Sequence, residues 1–356
     1  MKARVCRSNS IVRGLVAGAL AVAFALPAHA QTQTVKLRVA GNLVATGLIQ
    51  QKKEQPFFEN MAKVTGLPVE VDYKPQDVLG LKDTDGLRTL KSGLFDIVSL
   101  RLAQVSRDEP FFLGPDLVGL NANYETARKV VDVYRDAFDK RLQERHGAKL
   151  LGVWPFGPQV VFCKVAISNL GDLKGKKVRV YDQSLAKFIE QLGGIPVTIP
   201  FGETQQALER GVTDCAITGP SSANTAGWPE VTTHFMPIGF QIALNAYGMN
   251  LNKWKSLTPD QQAKFVEAFK KLEDDIWAYS QEIFDDAVRC NVGKEPCKTV
   301  KKYKMTEVAV KQADVKLIQD GLVTISLPMW SEVCDKSYPG CSDIWKKTVG
   351  PVIGLK

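Results

Sequence analysis

Apolar and polar positions change period repeatedly along this chain. VKLRVAGNL, PVEVDYKP and LFDIVSL are short runs with the alternating or continuous apolar character of strands, and each ends in Gly, Pro or polar residues. Between them lie PFFENMAKVTG and TDGLRTLKSG, which read as helices. In the first, Phe57, Met61 and Val64 share one face and Gly66 suits a C-cap. The result is a βαβαβ unit with a parallel sheet. NYETARKVVDVYRDAFDKRLQERHG then reads as a long polar helix and AKLLGVWPFG as a strand.

The pattern restarts after Gly157. VVFCKVAI, KKVRVYD, GIPVTIPF and VTDCAITGP read as strands, with QSLAKFIEQLGG and TQQALERG as helices. IALNAYGMNLNKW returns to strand. The most strongly patterned helix begins at SLTPDQQ: Thr258 is its N-cap, Pro259 its first helical position, and Gln261 completes a capping box. Phe265, Phe269, Leu272, Ile276, Tyr279 and Ile283 form its core face. The tail reads as one helix, a short strand around VTIS, and two small Cys loops. No flexible tether separates the two α/β units, so the expectation is two lobes joined by strands or a long helix, with a ligand cleft between them.

The amino terminus alters the charge account. MKARVCRSNSIVRG is basic, LVAGALAVAFALP is apolar, and Ala28-His29-Ala30 fits a cleavage site, so residues 1–30 read as a signal peptide cut after Ala30. This removes Lys2, Arg4, Arg7 and Arg13 and no acid, and the net charge falls from +8 to +4. The remaining basic residues are scattered, which argues against nucleic acid as a partner. Six cysteines enter an oxidising compartment. Cys290 and Cys297 flank one short loop, Cys334 and Cys341 another. Cys163 and Cys215 lie in apolar strands, either bridged or as buried thiols.

Catalytic chemistry is sparse. There is no G-x-S-x-G and no P-loop, and LGGIPVTIPFG lacks dinucleotide-fingerprint spacing. Asp274-Asp275 and Asp285-Asp286 read as solvated helix faces, and His146 as an exposed helix end. No metal site and no cofactor are expected, and the chain reads as a binding protein, not an enzyme. Arg179, in the strand KVRV, is the outstanding residue: a guanidinium in a strand covered on both faces needs an anionic partner or an internal bridge, with Asp182 the nearby acid.

NLGDLKGKKVRVYDQSLAKFIEQLGGIPVTIPFGETQQALERGVTDCAITGP resembles the periplasmic solute-binding subunits of tripartite ATP-independent periplasmic (TRAP) transporters, the DctP-like family. The matching pieces are Asp172–Val180, Gly193-Gly194, Pro196–Glu203, Ala207–Asp214 and Trp228–His234. FFENMAKVTG, LKSGLFDI and DEPFFLGPDLVGL resemble N-terminal motifs of the same family. The resemblance implies a two-lobed periplasmic binding protein fold of class α/β, with an interlobe cleft and a long helix spanning both lobes. One lobe is expected from 31–156 plus about 245–283, the other from 157–244 plus about 284–356.

The resemblance also implies that Arg179 binds a solute carboxylate, with Phe201 packing nearby and Thr218 donating a hydrogen bond. Gln159 stands where some members carry a second arginine, which speaks against a dicarboxylate. Trp154, Phe156, Phe201, Trp228 and Phe235 suggest an aromatic pocket. The expected solute is an aromatic or hydrophobic monocarboxylate, with 2-oxo and 2-hydroxy acids among the candidates and His234, Gln159 or Asn42 serving the extra oxygen. Arg101 is either a first-lobe contact or a surface charge. Glu203 is expected to brace the fold. Partners are the solute and the integral membrane subunits of a TRAP transporter. The competing readings are a C4-dicarboxylate-binding subunit and, more remotely, a periplasmic enzyme or sensor on the same frame.

Overall fold

The structure, a computed structural model, describes residues 34–120 and 123–355. The leader and its cleavage site lie outside the described residues. Eleven strands are present among those described: β1 (Val35–Gly41), β2 (Val69–Pro75), β3 (Ile97–Arg101), β4 (Ala148–Pro158), β5 (Val160–Cys163), β6 (Lys177–Val180), β7 (Ile195–Thr198), β8 (Cys215–Thr218), β9 (His234–Met236), β10 (Ile242–Asn250) and β11 (Thr306–Glu307). They form two sheets, in the orders β2-β1-β3-β10-β4 and β11-β9-β5-β8-β6-β7. Each sheet with its helices makes one lobe.

The first sheet has a parallel βαβαβ half, β2-β1-β3. Antiparallel β10 then joins it to β4. Edge strand β2 alternates buried and more exposed residues, whereas central β3 is buried throughout, as expected of a strand covered on both faces. In the second sheet β7, β6 and β8 are parallel, while β5 runs antiparallel to β8 and β9. The chain crosses between sheets at Gln159 and again at Gln241. There the two segments bond each other: the Gln159 N–H donates to the Gln241 carbonyl at 2.9 Å, and the Phe240 N–H to the Gln159 carbonyl at 3.0 Å.

The helix Pro259–Val292 opens on Thr258 with the expected capping box and ends at Gly293 in the left-handed conformation. It touches both lobes. Trp277 Nε1 donates to the Val153 carbonyl in β4 at 3.0 Å. Near its far end, Asn291 Oδ1 accepts from Asn224 Nδ2 at 2.7 Å, beside the second sheet. Cys163 and Cys215 face each other across β5 and β8 and are bonded, as are Cys290–Cys297 and Cys334–Cys341.

Several sequence expectations need correction. VTIS is not a strand: Leu322–Ser326 is a wide helical turn between the helices Gln312–Gly321 and Leu327–Ser337. Its β-branched run favours a strand locally, but helices on both sides carry the backbone through. The helix expected over PFFENMAKVTG breaks at Asn60 into Gln55–Glu59 and Met61–Thr65, and Val64 is exposed. His146 is buried, its Nε2 3.1 Å from Glu109, which also takes Arg141 Nε at 2.9 Å. Asp286 is buried too, accepting the Thr299 N–H at 2.7 Å, whereas Asp274 and Asp275 are solvated as expected.

Candidate functional site

A small cavity lies between the lobes, where the carboxyl ends of β3 and β8 meet the crossing strands. It is lined by Thr46, Arg101, Gln104, Phe156, Gln159, Arg179, Tyr181, Phe201, Thr218, Ser222, Ala243 and Leu244. Its free volume is about 20 Å³, roughly the room one water needs. The lobes are closed on each other.

Arg179 projects from β6, a central strand between β7 and β8, and is 1% exposed. Its Nε donates to the Ile199 carbonyl at 3.0 Å and its Nη1 to the Ile217 carbonyl at 2.9 Å. Both acceptors are neutral, and Nη2 is buried without a partner. Burial pushes the guanidinium down to about 10, which still leaves it charged at neutral pH. Asp182 does not bridge to it. Asp182 instead caps the helix Gln183–Gln191, accepting the Ser184 and Leu185 N–H groups, and takes Gln241 Nε2 at 3.2 Å.

Arg101 ends β3 in the opposite lobe and is likewise buried, not a surface charge. Its Nε and Nη2 donate to Asn42 Oδ1 at 3.2 and 3.3 Å, and its Nη1 lies 3.6 Å from Asp83 Oδ2. Its guanidinium carbon sits 5.0 Å from the Phe156 ring centre and 5.2 Å from that of Phe201, within cation–π range. Asn42 is held in turn by Glu54, whose Oε1 accepts the Asn42 N–H at 2.7 Å. Burial pushes the Glu54 carboxyl up to about 7, against the pull of the Asn42 amide and the Arg101 charge.

Of the residues expected at the site, Arg179, Arg101, Phe201, Thr218, Gln159 and Phe156 line the cavity. Gln159 folds back, its Nε2 donating to the Gly157 carbonyl at 2.8 Å. The others stand elsewhere. Trp154 is fully buried beside Phe156 and Tyr247. Trp228 backs Phe201 with ring centres 5.6 Å apart, packs on Phe162, and has the Arg179 guanidinium carbon 5.7 Å from its ring centre, so it supports Arg179 without lining the cavity. Phe235 packs on Phe162. Asn42 acts through Arg101. His234 belongs to β9, bonded through Nδ1 to its neighbour Thr233 at 2.8 Å. Large aromatics prefer the apolar interior behind the cavity wall, so sequence proximity misplaced them.

Sequence reasoning missed Tyr181, Gln104, Ser222 and Thr46. Tyr181 had a usable signal: it stands two residues beyond Arg179, the spacing that returns to one face of a strand. Glu203, expected as a brace, is exposed and lies 3.3 Å from Lys82, a pairing that spans the lobes.

A two-lobed α/β body with a closed, polar-lined cavity at its crossing strands defines the class: a solute-binding protein. Residues 41–307 match the model of "Bacterial extracellular solute-binding protein, family 7". The chain is 25% identical over 268 residues to the C4-dicarboxylate-binding periplasmic protein DctP of Rhodobacter capsulatus, covering 74% of this chain and 79% of that protein. Among solved structures it is similar to DctP7, a Bordetella pertussis extracytoplasmic solute receptor binding pyroglutamic acid. That match has a TM-score of 0.78 and 17% identity, covering 88% of this chain and 99% of the other. It is similar as well to a TRAP periplasmic solute binding protein from Desulfovibrio salexigens with bound orotic acid, with a TM-score of 0.79 and 17% identity, covering 89% and 99%. These two structures share the fold.

The chain belongs to the bacterial extracellular solute-binding protein family 7 and is a solute-binding protein, not an enzyme. It binds a small-molecule solute outside the cytoplasm.

Proposed function

We propose that the solute is a compact monocarboxylate with a partly apolar body and a further oxygen on or near C2, its carboxylate held by Arg179. The observation that carries this is the state of Arg179. Two of its nitrogens are spent on neutral carbonyls, Nη2 is unpartnered, and the charge is buried beside the cavity. A buried cation in that condition favours an anion that supplies hydrogen-bond acceptors. Thr218, Ser222, Tyr181 and Gln104 are available for the carboxylate and the further oxygen, and Phe156, Phe201, Ala243 and Leu244 for the body.

Compared with the aromatic pocket read from the sequence, this wall is smaller and more polar, because Trp154 and Trp228 do not reach it. The solutes named for several structures of this fold, pyroglutamate and orotate, are ring monocarboxylates of this general kind. A second reading, a C4-dicarboxylate, is favoured by Arg101 as a second cation on the cavity and by the dicarboxylate named for the Rhodobacter capsulatus relative. Against it stands Asp83, which already accompanies Arg101.

With so little room inside, entry requires the lobes to part. Residues 31–156 plus about 245–283 would move against 157–244 plus about 284–356, and a solute touching both lobes favours the closed state. Residues 1–30 direct export, and the secreted protein is expected to begin at Gln31, which intact-mass measurement would check. Thermal-shift screening against pyruvate, lactate, pyroglutamate, aromatic 2-oxo and 2-hydroxy acids, malonate and succinate tests the ligand class. A ligand at 100 times its Kd adds about 2.7 kcal/mol. Shifts confined to malonate and succinate would overturn the monocarboxylate assignment.

A further inference from the structure

Asp83 is a buried acid that the binding scheme above does not use. It is 3% exposed and lies on the seam between the lobes. Its Oδ2 is 3.6 Å from Arg101 Nη1 and accepts the Phe201 N–H of the opposite lobe at 3.5 Å. Its Oδ1 is buried and unpartnered. The exposed Lys82–Glu203 pair crosses the same seam one residue before Asp83 and two after Phe201.

Asp83 is the strongest attractive charge acting on both Arg101 and Arg179. The other buried acids nearby contribute less. Glu54 sits behind Asn42, and burial pushes its carboxyl up to about 7, which weakens its charge at neutral pH. Burial raises Asp182, which is occupied with its helix cap, and holds Asp116 well above the usual carboxylate range. Asp77, which is exposed, comes next after Asp83 on Arg101, so Asp83 offsets the largest share of the positive charge that the two guanidinia bring to the cavity.

We propose that Asp83 is a specificity-determining residue: its carboxylate takes up one of the two positive charges at the cavity and thereby selects monoanionic over dianionic solutes. This rests on the monocarboxylate reading above. A solute monoanion completes the charge balance. Asp83 does not line the cavity itself but stands beside Arg101, which does, so a dianion that brings its second charge to Arg101 brings it close to a fixed carboxylate in a poorly solvated setting, where like charges repel strongly.

The test is isothermal titration calorimetry with two probes, malonate and the tightest monocarboxylate of the screen, on wild type, Asp83→Asn and Asp83→Glu. Asn keeps an acceptor for the Phe201 N–H and removes the charge. In Asp83→Asn the affinity for malonate relative to the monocarboxylate should rise by about 10-fold or more. Asp83→Glu, which retains the charge, should keep the wild-type preference. A ratio within about twofold of wild type in Asp83→Asn, or an equal shift in Asp83→Glu, overturns the proposal. Where Asp83→Asn does not fold, Asp83→Ser removes the same charge and gives the same readout. A wild type that already prefers malonate overturns the ligand class instead, and the role of Asp83 then stands only if Asp83→Asn tightens malonate further.

Discussion

Two buried arginines face one cavity and are held in opposite ways. Arg179 is fixed by backbone carbonyls on a wall that the Cys163–Cys215 bond staples together, β5 to β8. Arg101 is fixed by side chains: Asn42, Asp83 and, through Asn42, Glu54. Backbone acceptors orient a guanidinium without cancelling its charge. An acid partner orients it and cancels much of the charge. The first arrangement leaves binding energy for a solute, and the second serves the protein's own stability.

The largest test of that contrast removes each arginine in turn. Arg179→Met should weaken carboxylate binding by about a thousandfold, ~4 kcal/mol, with little loss of apo stability, since a buried charge without an acid partner contributes little to folding. Arg101→Met should lower unfolding stability by ~3 kcal/mol, because Asp83 is then buried beside no contacting cation, and should weaken carboxylate binding less than Arg179→Met does. Calorimetric titration and denaturant unfolding together check it, and equal effects in both assays would erase the contrast.

Next comes the staple. Removing the cross-link by Cys163→Ser with Cys215→Ser should cost ~4 kcal/mol by loop-closure entropy, against ~2 kcal/mol for Cys290→Ser with Cys297→Ser, because the loops span 52 and 7 residues. Urea midpoints would rank them.

Glu54 gives a pH signature for the Arg101 side. Its folded-state pKa, about 7, lies above the unfolded value near 4.5, so the folded protein holds the extra proton between the two. Stability should therefore be undiminished below about pH 4.5 and fall as pH rises through about 7, by up to ~3 kcal/mol. Glu54→Gln should flatten that window while leaving the effect of Arg179→Met unchanged. A slope that survives the substitution would assign it to another group.

The smallest effect belongs to Thr218. Thr218→Val removes one hydroxyl from the Arg179 wall and should weaken binding about fivefold, ~1 kcal/mol, with an unchanged melting temperature.

How far the sequence carried this picture depends on the range of the interactions. The strand KVRV, the capping box at Thr258 and the glycine stop at Gly66 rest on neighbours within a few residues, and all three stand in the structure. Arg179 was conspicuous because a cation in a central strand breaks a local rule. Asp83 and Glu54 were invisible: an acid in a loop or helix looks solvated until distant strands bury it. His146 and Asp286 misled for the same reason, since Glu109 and the Thr299 segment reach them only in the folded chain. The aromatics erred in the other direction, as Trp154 and Trp228 lie near the site in sequence but serve the layer behind it.

The helix Pro259–Val292 has a mechanical consequence. Its 34 residues make a rod about 50 Å long. It is fastened by Trp277 to the first sheet and by Asn291 to the segment following β8, and the two crossing strands are a second pair of ties. A joint with ties at separate points has few free directions. A swing about one axis would strain these ties least, whereas twisting or sliding would pull directly on Trp277 and Asn291. A force applied to either lobe would therefore be channelled largely into opening instead of being lost in wobble.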